Sequence, residues 1–363
     1  MSHPTDSLTR IPTSELGDRI LRHGRMPSNP EPYLTWTGSG ITIVSRAREL
    51  WLEIESSYQR QEDAIRITVN GYTAHRSIVA PGISLICVYR GLSPDEPHTV
   101  RLYKETQLSG EAGRFLRINA VYTNGELITP PTPRYRFEFL GDSLTAGEGL
   151  GGAKSENVWC PYVFSSDGLY PYLVGEALDA NVSVVALSGN GLACGCTGNP
   201  KQTIPPLYRF TAGLGSTPYD IAACDYDLVV INLGTNDFGA AAKPIFVDPE
   251  TGEEFVMQKG GDGRLLPECH AKVLDKAIEL GRAVRENCPR ARILYLYNML
   301  GSQVELGEII GEALSALADQ NAAVLKLPTC TPEQKGSRNH PGPVSHRAVA
   351  DAIIAYLGEN PLA

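Results

Sequence analysis

The chain has 363 residues and a formal net charge of −9, with 42% hydrophobic and 20% charged residues. The length exceeds that of most single domains and the composition is that of ordinary globular proteins, so two domains are expected. The acidic balance, without basic runs or basic–aromatic interleaving, argues against nucleic acid and anionic membranes as partners.

The N-terminus and the cysteines bear on the cellular compartment. The first ten residues contain no apolar core and no cleavage-like site, and no apolar run is long enough to cross a bilayer. Eight cysteines are scattered through the chain, unlike a small disulfide scaffold, and Cys194-Gly195-Cys196 has no matching second Cys/His pair for a metal. We therefore expect a cytoplasmic protein with reduced thiols and no metal site.

The first third of the chain is rich in short, alternating apolar segments. Residues 1–20 look like an irregular lead-in, and turn signals such as Asn70-Gly71 then separate period-two runs, which indicates an antiparallel β-sandwich. The stiff Pro130-Pro131-Thr132-Pro133 connection predicts a sandwich domain over residues 1–132 and a second domain over residues 133–363. The predicted strands lie near residues 40–44, 49–54, 64–69, 83–89, 98–103 and 115–120.

After Arg134 the pattern changes to apolar strands alternating with amphipathic helices, which indicates an α/β fold with a parallel sheet covered on both faces. A long insertion over residues 238–268, with a hairpin-like signal, is expected to cover a site or form an interface. The predicted strands lie at 135–140, 182–187, 227–233, 292–299 and 322–327, and the predicted helices at about 169–179, 270–287, 304–320 and 343–357.

Four short motifs fall at strand ends or before the last helix, and their residues suit one another chemically. Ser143 follows the first strand of the α/β part, and a serine hydroxyl needs a base such as His340. Attack on an ester carbonyl creates an oxyanion, for which the N–H groups of Ser143 and Gly189 and the side-chain amide of Asn236 are candidate donors. Gly191 is an alternative to Gly189, because the spacing alone does not choose between them.

These motifs resemble the four blocks of the SGNH (GDSL-type) hydrolase superfamily. The matching segments are, in order, Gly141-Asp142-Ser143-Leu144, Ser188-Gly189, Gly234-Thr235-Asn236-Asp237 and His340-Pro341. The resemblance implies a flavodoxin-like α/β/α domain in which Ser143 is the nucleophile and His340 the base. It also implies that Ser143, Gly189 and Asn236 supply the oxyanion donors.

The first half is similar to carbohydrate esterase family 2, through Gly24-Arg25, Trp36-Thr37-Gly38-Ser39 and residues 98–106 and 113–116. This resemblance implies a jelly-roll sandwich in front of the hydrolase domain and removal of acetyl groups from xylans and glucomannans. Acetylated oligosaccharides or polysaccharides would be the substrates, without a cofactor; homo-oligomerisation stays open.

One position departs from the family pattern. The family usually carries Asp three residues before the catalytic histidine, where this chain has Ser337, and the nearest preceding carboxylate in sequence is Glu333. Some carbohydrate esterases of family 2 use a main-chain carbonyl instead, so a carbonyl from residues 337–339 is expected to accept the Nδ1–H of His340, and a distant carboxylate is the alternative. A general short-chain carboxylesterase or thioesterase and a non-catalytic carbohydrate-binding protein are the alternative functions.

Five other features are given structural interpretations. Asp142 and Asp237 are expected to brace their loops, and His346 to brace a loop or helix. Lys104-Glu105-Thr106 is expected to be a structural ion-pair cluster. Trp159 is either a loop anchor or a platform for a sugar ring.

Overall fold

A computed structural model describes residues 5–26, 33–213, 215–301 and 304–362, and antiparallel strands make up its first half. These strands are β1 (Thr9–Pro12), β2 (Ile20–His23), β3 (Gly40–Arg46), β4 (Glu49–Ser57), β5 (Asp63–Val69), β6 (Tyr72–Val79), β7 (Gly82–Arg90), β8 (His98–Lys104), β9 (Phe115–Thr123) and β10 (Glu126–Ile128). One sheet has the order β1-β9-β4-β7, and the other has the order β10-β3-β8-β5-β6 with β2 also paired to β3.

The two sheets enclose an apolar core because alternate residues along each strand point inward. On β4 the inward residues are Leu50, Leu52 and Ile54, which are fully buried, while their neighbours Trp51 and Glu55 are partly exposed. This alternation produces the period-two pattern of the sequence.

The second half alternates strands and helices. Its elements are β11 (Tyr135–Gly141), α1 (Ser143–Ala146), α2 (Tyr170–Leu178), β12 (Ala180–Ala186), β13 (Leu228–Asn232), α3 (Thr235–Ala240), β14 (Phe246–Val247), β15 (Glu254–Phe255), α4 (Pro267–Asn287), β16 (Arg292–Tyr297), α5 (Val304–Leu317), β17 (Ala322–Lys326) and α6 (Pro343–Glu359). Strands β12-β11-β13-β16-β17 form a parallel sheet in that order, and β14 and β15 form a small hairpin.

Apolar side chains on both faces of the parallel sheet explain its position between two layers of helices. On β11, Phe137 and Phe139 belong to the core that includes residues of α2 and α6. Leu140 belongs to the opposite core, which includes residues of α4 and α5. The carboxyl ends of β11, β12 and β13 therefore meet at one edge, where their following loops come together.

The predicted fold class is confirmed: an antiparallel sandwich precedes an α/β/α unit with a parallel sheet. The irregular lead-in over residues 1–20 was wrong in part, because Thr9–Pro12 pairs with β9 and β2 begins at Ile20. These four-residue strands are too short to show a period of two. The predicted boundary at residue 132 falls between β10 and β11, and the division into two separately folding domains stays a prediction. Within the described ranges, the helices lack the combination of length and apolar character needed to span a membrane.

A buried ion pair joins the two halves. Nε of Arg25, just after β2, lies 2.9 Å from Oε1 of Glu138 on β11, and both side chains are completely buried. Arg25 also donates to the carbonyl oxygens of Tyr208 and Phe210. Because buried charges are costly unless paired and hydrogen-bonded, these contacts favour one arrangement of the sandwich against the α/β half.

Candidate active site

Ser143 lies directly after β11, at the edge where the strand ends of the parallel sheet meet. Asp142 caps the short helix α1 by accepting a hydrogen bond from the Leu144 N–H at 3.0 Å. The serine itself is only 7% exposed. The strand end and this cap therefore hold the hydroxyl at a fixed point of the sheet edge.

His340 contacts the serine. Its Nε2 lies 3.0 Å from Ser143 Oγ, and its Nδ1 lies 2.9 Å from the main-chain carbonyl of Arg338. The carbonyl can only accept, so Nδ1 carries the proton and Nε2 is free to accept the proton of the serine hydroxyl. These two contacts support the predicted roles of Ser143 as nucleophile and His340 as base, which stay predictions.

A left-handed turn explains how the Arg338 carbonyl reaches the ring. Arg338 and Asn339 have φ values of 53° and 57°, which are uncommon for residues other than glycine. The loop is secured by the Ser337 hydroxyl, which donates to the carbonyl of Gly151 at 2.7 Å. Ser337, where the family usually has Asp, therefore supports the loop and has its hydroxyl bound elsewhere than at the imidazole.

A carboxylate distant in sequence, the alternative that the sequence left open, lies near the imidazole. Glu148, 2% exposed, places Oε1 3.7 Å from Nδ1 of His340. Its side chain also pairs with Arg338 Nε and accepts a hydrogen bond from the Ser188 hydroxyl at 2.7 Å. Glu333 is exposed in the turn that Thr331 caps, and a hydrogen bond with Thr331 lowers the pKa of its carboxyl. Sequence reasoning missed Glu148 although it lies between two glycines only a few residues after Ser143.

The candidate backbone donors to the oxyanion differ in whether their N–H groups already have a hydrogen-bond acceptor. Within the described residues, the N–H groups of Ser143 and Gly189 have no hydrogen-bond acceptor, whereas the Gly191 N–H donates to the carbonyl of Gln202 at 3.2 Å. Gly189 adopts a φ of +78°, a conformation that suits glycine. The free N–H favours Gly189 over Gly191 as the donor.

Asn236, the third predicted donor, has its side-chain amide hydrogen-bonded to other protein groups. Its Nδ2 donates to the carbonyl of Asn190 at 2.8 Å and lies 3.4 Å from Oδ2 of Asp142. The Asp142 contact is long and weak. One amide hydrogen is therefore loosely held, near Asp142, the residue before Ser143.

Asp237 supports the loop that carries the glycines. Its carboxylate accepts hydrogen bonds from the backbone N–H groups of Leu192, Ala193 and Cys194 at 2.7–3.0 Å. Burial raises the pKa of Asp237 to about 6, against the effect of these donors. It is thus a bracing residue.

A family model, the GDSL-like lipase/acylhydrolase family, matches residues 139–356. The chain belongs to this family. The predicted resemblance to SGNH (GDSL-type) hydrolases is confirmed, and the predicted class, a serine ester hydrolase, is that of the family.

Two relatives and a solved structure are similar to this chain over more than half of its length. The chain is 31% identical over 225 residues to a cellulase/esterase, CelE, of Acetivibrio thermocellus, covering 61% of this chain and 27% of that protein. It is 25% identical over 267 residues to an acetylxylan esterase/glucomannan deacetylase of Cellvibrio japonicus, covering 72% of this chain and 69% of that protein. The solved structure of an acetyl xylan esterase, Est2A, from the rumen bacterium Butyrivibrio proteoclasticus has a TM-score of 0.93 at 28% identity, covering 97% of this chain and 99% of that one.

These similarities confirm the predicted resemblance to carbohydrate esterase family 2. The chain spans only about a quarter of the length of the A. thermocellus relative, because the match covers 27% of that protein. The overlap with Est2A, in contrast, runs through both halves of this member of the GDSL-like family.

The sandwich of this GDSL-like protein reaches the site. Oε1 of Gln107, which follows β8, accepts a hydrogen bond from the Ser188 N–H at 2.8 Å, next to Gly189. The fully buried Glu105 accepts from the hydroxyl of Ser165 at 2.6 Å and the N–H of Ser166 at 3.1 Å, in the long loop after the nucleophile. The predicted ion-pair cluster is present, since Glu105 also pairs with Arg76, and it anchors an active-site loop as well.

The insertion over residues 238–268 flanks the loop that follows the oxyanion glycines. A Cβ at Gly198 would lie 3.2 Å from Cβ of Phe246 on β14, and Lys201 Nζ lies 2.8 Å from Oδ2 of Asp248. The hairpin of β14 and β15 is therefore packed against the oxyanion side of the site.

Two other predicted positions lie near the site without touching the serine. Trp159 is half-buried and packs edge-to-face on Phe164, with ring centroids 6.0 Å apart, which favours the loop-anchor interpretation. His346 is fully buried and stacks on Tyr170. Burial lowers the pKa of His346 to about 3, so it is a neutral packing residue.

Proposed function

We propose that this protein is a carbohydrate O-acetylesterase that removes acetyl groups from acetylated xylo- and manno-oligosaccharides. The observation that carries the proposal is the 3.0 Å contact between His340 Nε2 and Ser143 Oγ, with Nδ1 held by the Arg338 carbonyl. The acetylxylan esterase/glucomannan deacetylase of C. japonicus, which matches 72% of this chain, and Est2A, which matches 97%, support the choice of acetylated sugars.

In the proposed reaction, Ser143 Oγ attacks the acetyl carbonyl carbon while its proton passes to His340 Nε2. The tetrahedral oxyanion accepts hydrogen bonds from the N–H groups of Ser143 and Gly189 and from the Asn236 amide, which are more favourable to it than to the ester carbonyl. The carbon–oxygen bond to the sugar then breaks, and the sugar oxygen takes the proton from Nε2.

Water completes the cycle. It attacks the acetyl ester of Ser143 and gives a proton to His340 Nε2. When the ester bond breaks, acetate leaves and the proton returns to Ser143 Oγ. The Arg338 carbonyl accepts the Nδ1–H throughout, so that it keeps the ring in the tautomer that accepts at Nε2.

Acetate release from acetylated xylo- and manno-oligosaccharides tests the proposal. Ser143→Ala should lower kcat by roughly 10³-fold or more, since it removes the nucleophile. Ser155→Ala is a matched control, because Ser155 is an exposed serine of the loop that follows the nucleophile. Equal release by the wild type and Ser143→Ala would refute the mechanism.

A series of p-nitrophenyl esters tests the acyl group separately. We expect acetate to be preferred over longer chains. A preference for acyl chains of six to eight carbons would support a general carboxylesterase or thioesterase instead, and oligosaccharide binding without hydrolysis of any acetyl ester would support a binding protein.

A further inference from the structure

Glu148 is a buried carboxylate that contacts three of the segments around the serine. Its own N–H donates to the carbonyl of Ser143 at 3.1 Å, which ties it to the nucleophile turn. Its side chain accepts from the Ser188 hydroxyl at 2.7 Å, beside Gly189, and pairs with Arg338, next to the base. With 2% exposure it is largely shielded from water.

Glu148 influences the base in two ways, through its own charge and through Arg338. Oε1 lies 3.7 Å from Nδ1 of His340, too far for a hydrogen bond but close for a charge interaction in a site with little solvent. The Arg338 side chain that Glu148 holds belongs to the residue whose carbonyl accepts the Nδ1–H at 2.9 Å. Arg338 adopts a left-handed conformation with φ of 53°, which persists only where surrounding contacts hold it.

The chemistry of the Ser143–His340 pair, called the dyad below, explains what a buried carboxylate would add to catalysis. When His340 takes the proton of the serine, its ring becomes a cation. A neutral carbonyl orients that ring but stabilises its charge less than a carboxylate does. Glu148 provides a negative charge beside Nδ1, partly balanced by Arg338.

We propose that Glu148 is a positioning residue for the dyad: it keeps the Arg338 carbonyl on Nδ1 and stabilises the imidazolium in place of the Asp that the family usually carries. This inference rests on the proposed esterase function for its kinetic consequences. Its electrostatic part concerns the histidine itself and is open to measurement without substrate.

Glu148→Gln and Arg338→Gln should have opposite electrostatic effects. Loss of the Glu148 charge leaves Arg338 uncompensated beside the ring, so His340 should protonate at lower pH, by about one unit. Loss of the Arg338 charge leaves Glu148 uncompensated, so His340 should protonate at higher pH. Among the described residues, His346 also interacts electrostatically with the ring, and burial keeps it neutral. Asp142 interacts in turn with Glu148.

The measurement is an NMR titration of the His340 imidazole in the Ser143→Ala background, with the resonance assigned by His340→Gln. Glu138→Gln is the matched control, because Glu138 is a fully buried carboxylate paired with Arg25 instead of with the base. It should lower the melting temperature without moving the His340 midpoint.

Kinetics of otherwise wild-type protein give the second readout. Glu148→Gln should lower kcat for p-nitrophenyl acetate roughly 10–100-fold with little change in KM, because Glu148 touches the base and not the ester. The acid limb of its kcat/KM profile should move to lower pH.

The same His340 midpoint in Ser143→Ala protein with and without Glu148→Gln would overturn the proposal, even if the double variant were less stable. So would shifts in the same direction for Glu148→Gln and Arg338→Gln. If the wild type hydrolysed no acetyl ester, the proposed function would fail, while the titration would still report on the contact between Glu148 and His340.

Discussion

Gly149 offers a sharp test of how closely the base must be placed. Its φ is +97°, and a Cβ built there would lie 2.6 Å from Cβ of His340 and 2.9 Å from the carbonyl oxygen of Pro341. Ordinary contact begins at 3.4 Å, so the methyl group of Gly149→Ala would have to displace the histidine by about 0.8 Å. Misplacement of a reacting group by about 1 Å costs on the order of 10²-fold in rate, and we expect kcat for p-nitrophenyl acetate to fall roughly 30–100-fold.

The matched control is Gly168→Ala, at the other end of the same loop. Gly168 also has a positive φ, +71°, but a Cβ there would meet nothing within 4 Å. Both variants should lose about 1–2 kcal/mol of stability from the left-handed backbone, as measured by urea unfolding. Only Gly149→Ala should also show the fall in kcat for p-nitrophenyl acetate. A kcat of Gly149→Ala within twofold of that of Gly168→Ala would refute the idea that the methyl group displaces His340.

Two further predictions concern the sandwich and the pH dependence of stability. Gln107→Ala removes the acceptor of the Ser188 N–H and should lower kcat about 10-fold by loosening the oxyanion loop; unchanged steady-state kinetics would contradict this role. Burial raises the pKa of Asp142 from 3.8 to about 7, so its contribution to stability is present below about pH 4 and is lost as the pH rises to about 7. The unfolding free energy of the wild type should therefore fall by roughly 2–4 kcal/mol across this pH range because of Asp142, and Asp142→Asn should remove that fall. Unfolding free energies from urea titrations that depend on pH equally in variant and wild type would contradict the raised pKa of Asp142.

The sequence predicted the α/β half well because its helices have long periodic patterns and clear ends. The helix predicted at 343–357 is α6, Pro343–Glu359, with proline at the first helical position. The edge strands were predicted poorly: β6, Tyr72–Val79, was missed because it is exposed along nearly its whole length. Such a strand shows little hydrophobic alternation, and its backbone pairing with β5 places it in the sheet without requiring that pattern.

The candidate site could be predicted as far as local motifs reach. Ser143 and His340 each sit in a short pattern, and the carbonyl from residues 337–339 was narrowed by the structure to that of Arg338. Glu148 was missed because nothing local distinguishes a glutamate that points to solvent from one that is buried. Its environment comes from Ser188 and Arg338, which are far from it in sequence.

The contacts of Glu105 and Gln107 bear on what the sandwich is for. A module that only bound polysaccharide could sit anywhere on the hydrolase half, because it would need no link to the reacting atoms. Here one side chain after β8 holds the backbone beside Gly189, and another holds the loop that begins at Gly149, against His340. Both the oxyanion side and the base side of the serine are thus braced from the sandwich, so its effect on rate should be felt even with an acetyl ester that carries no sugar.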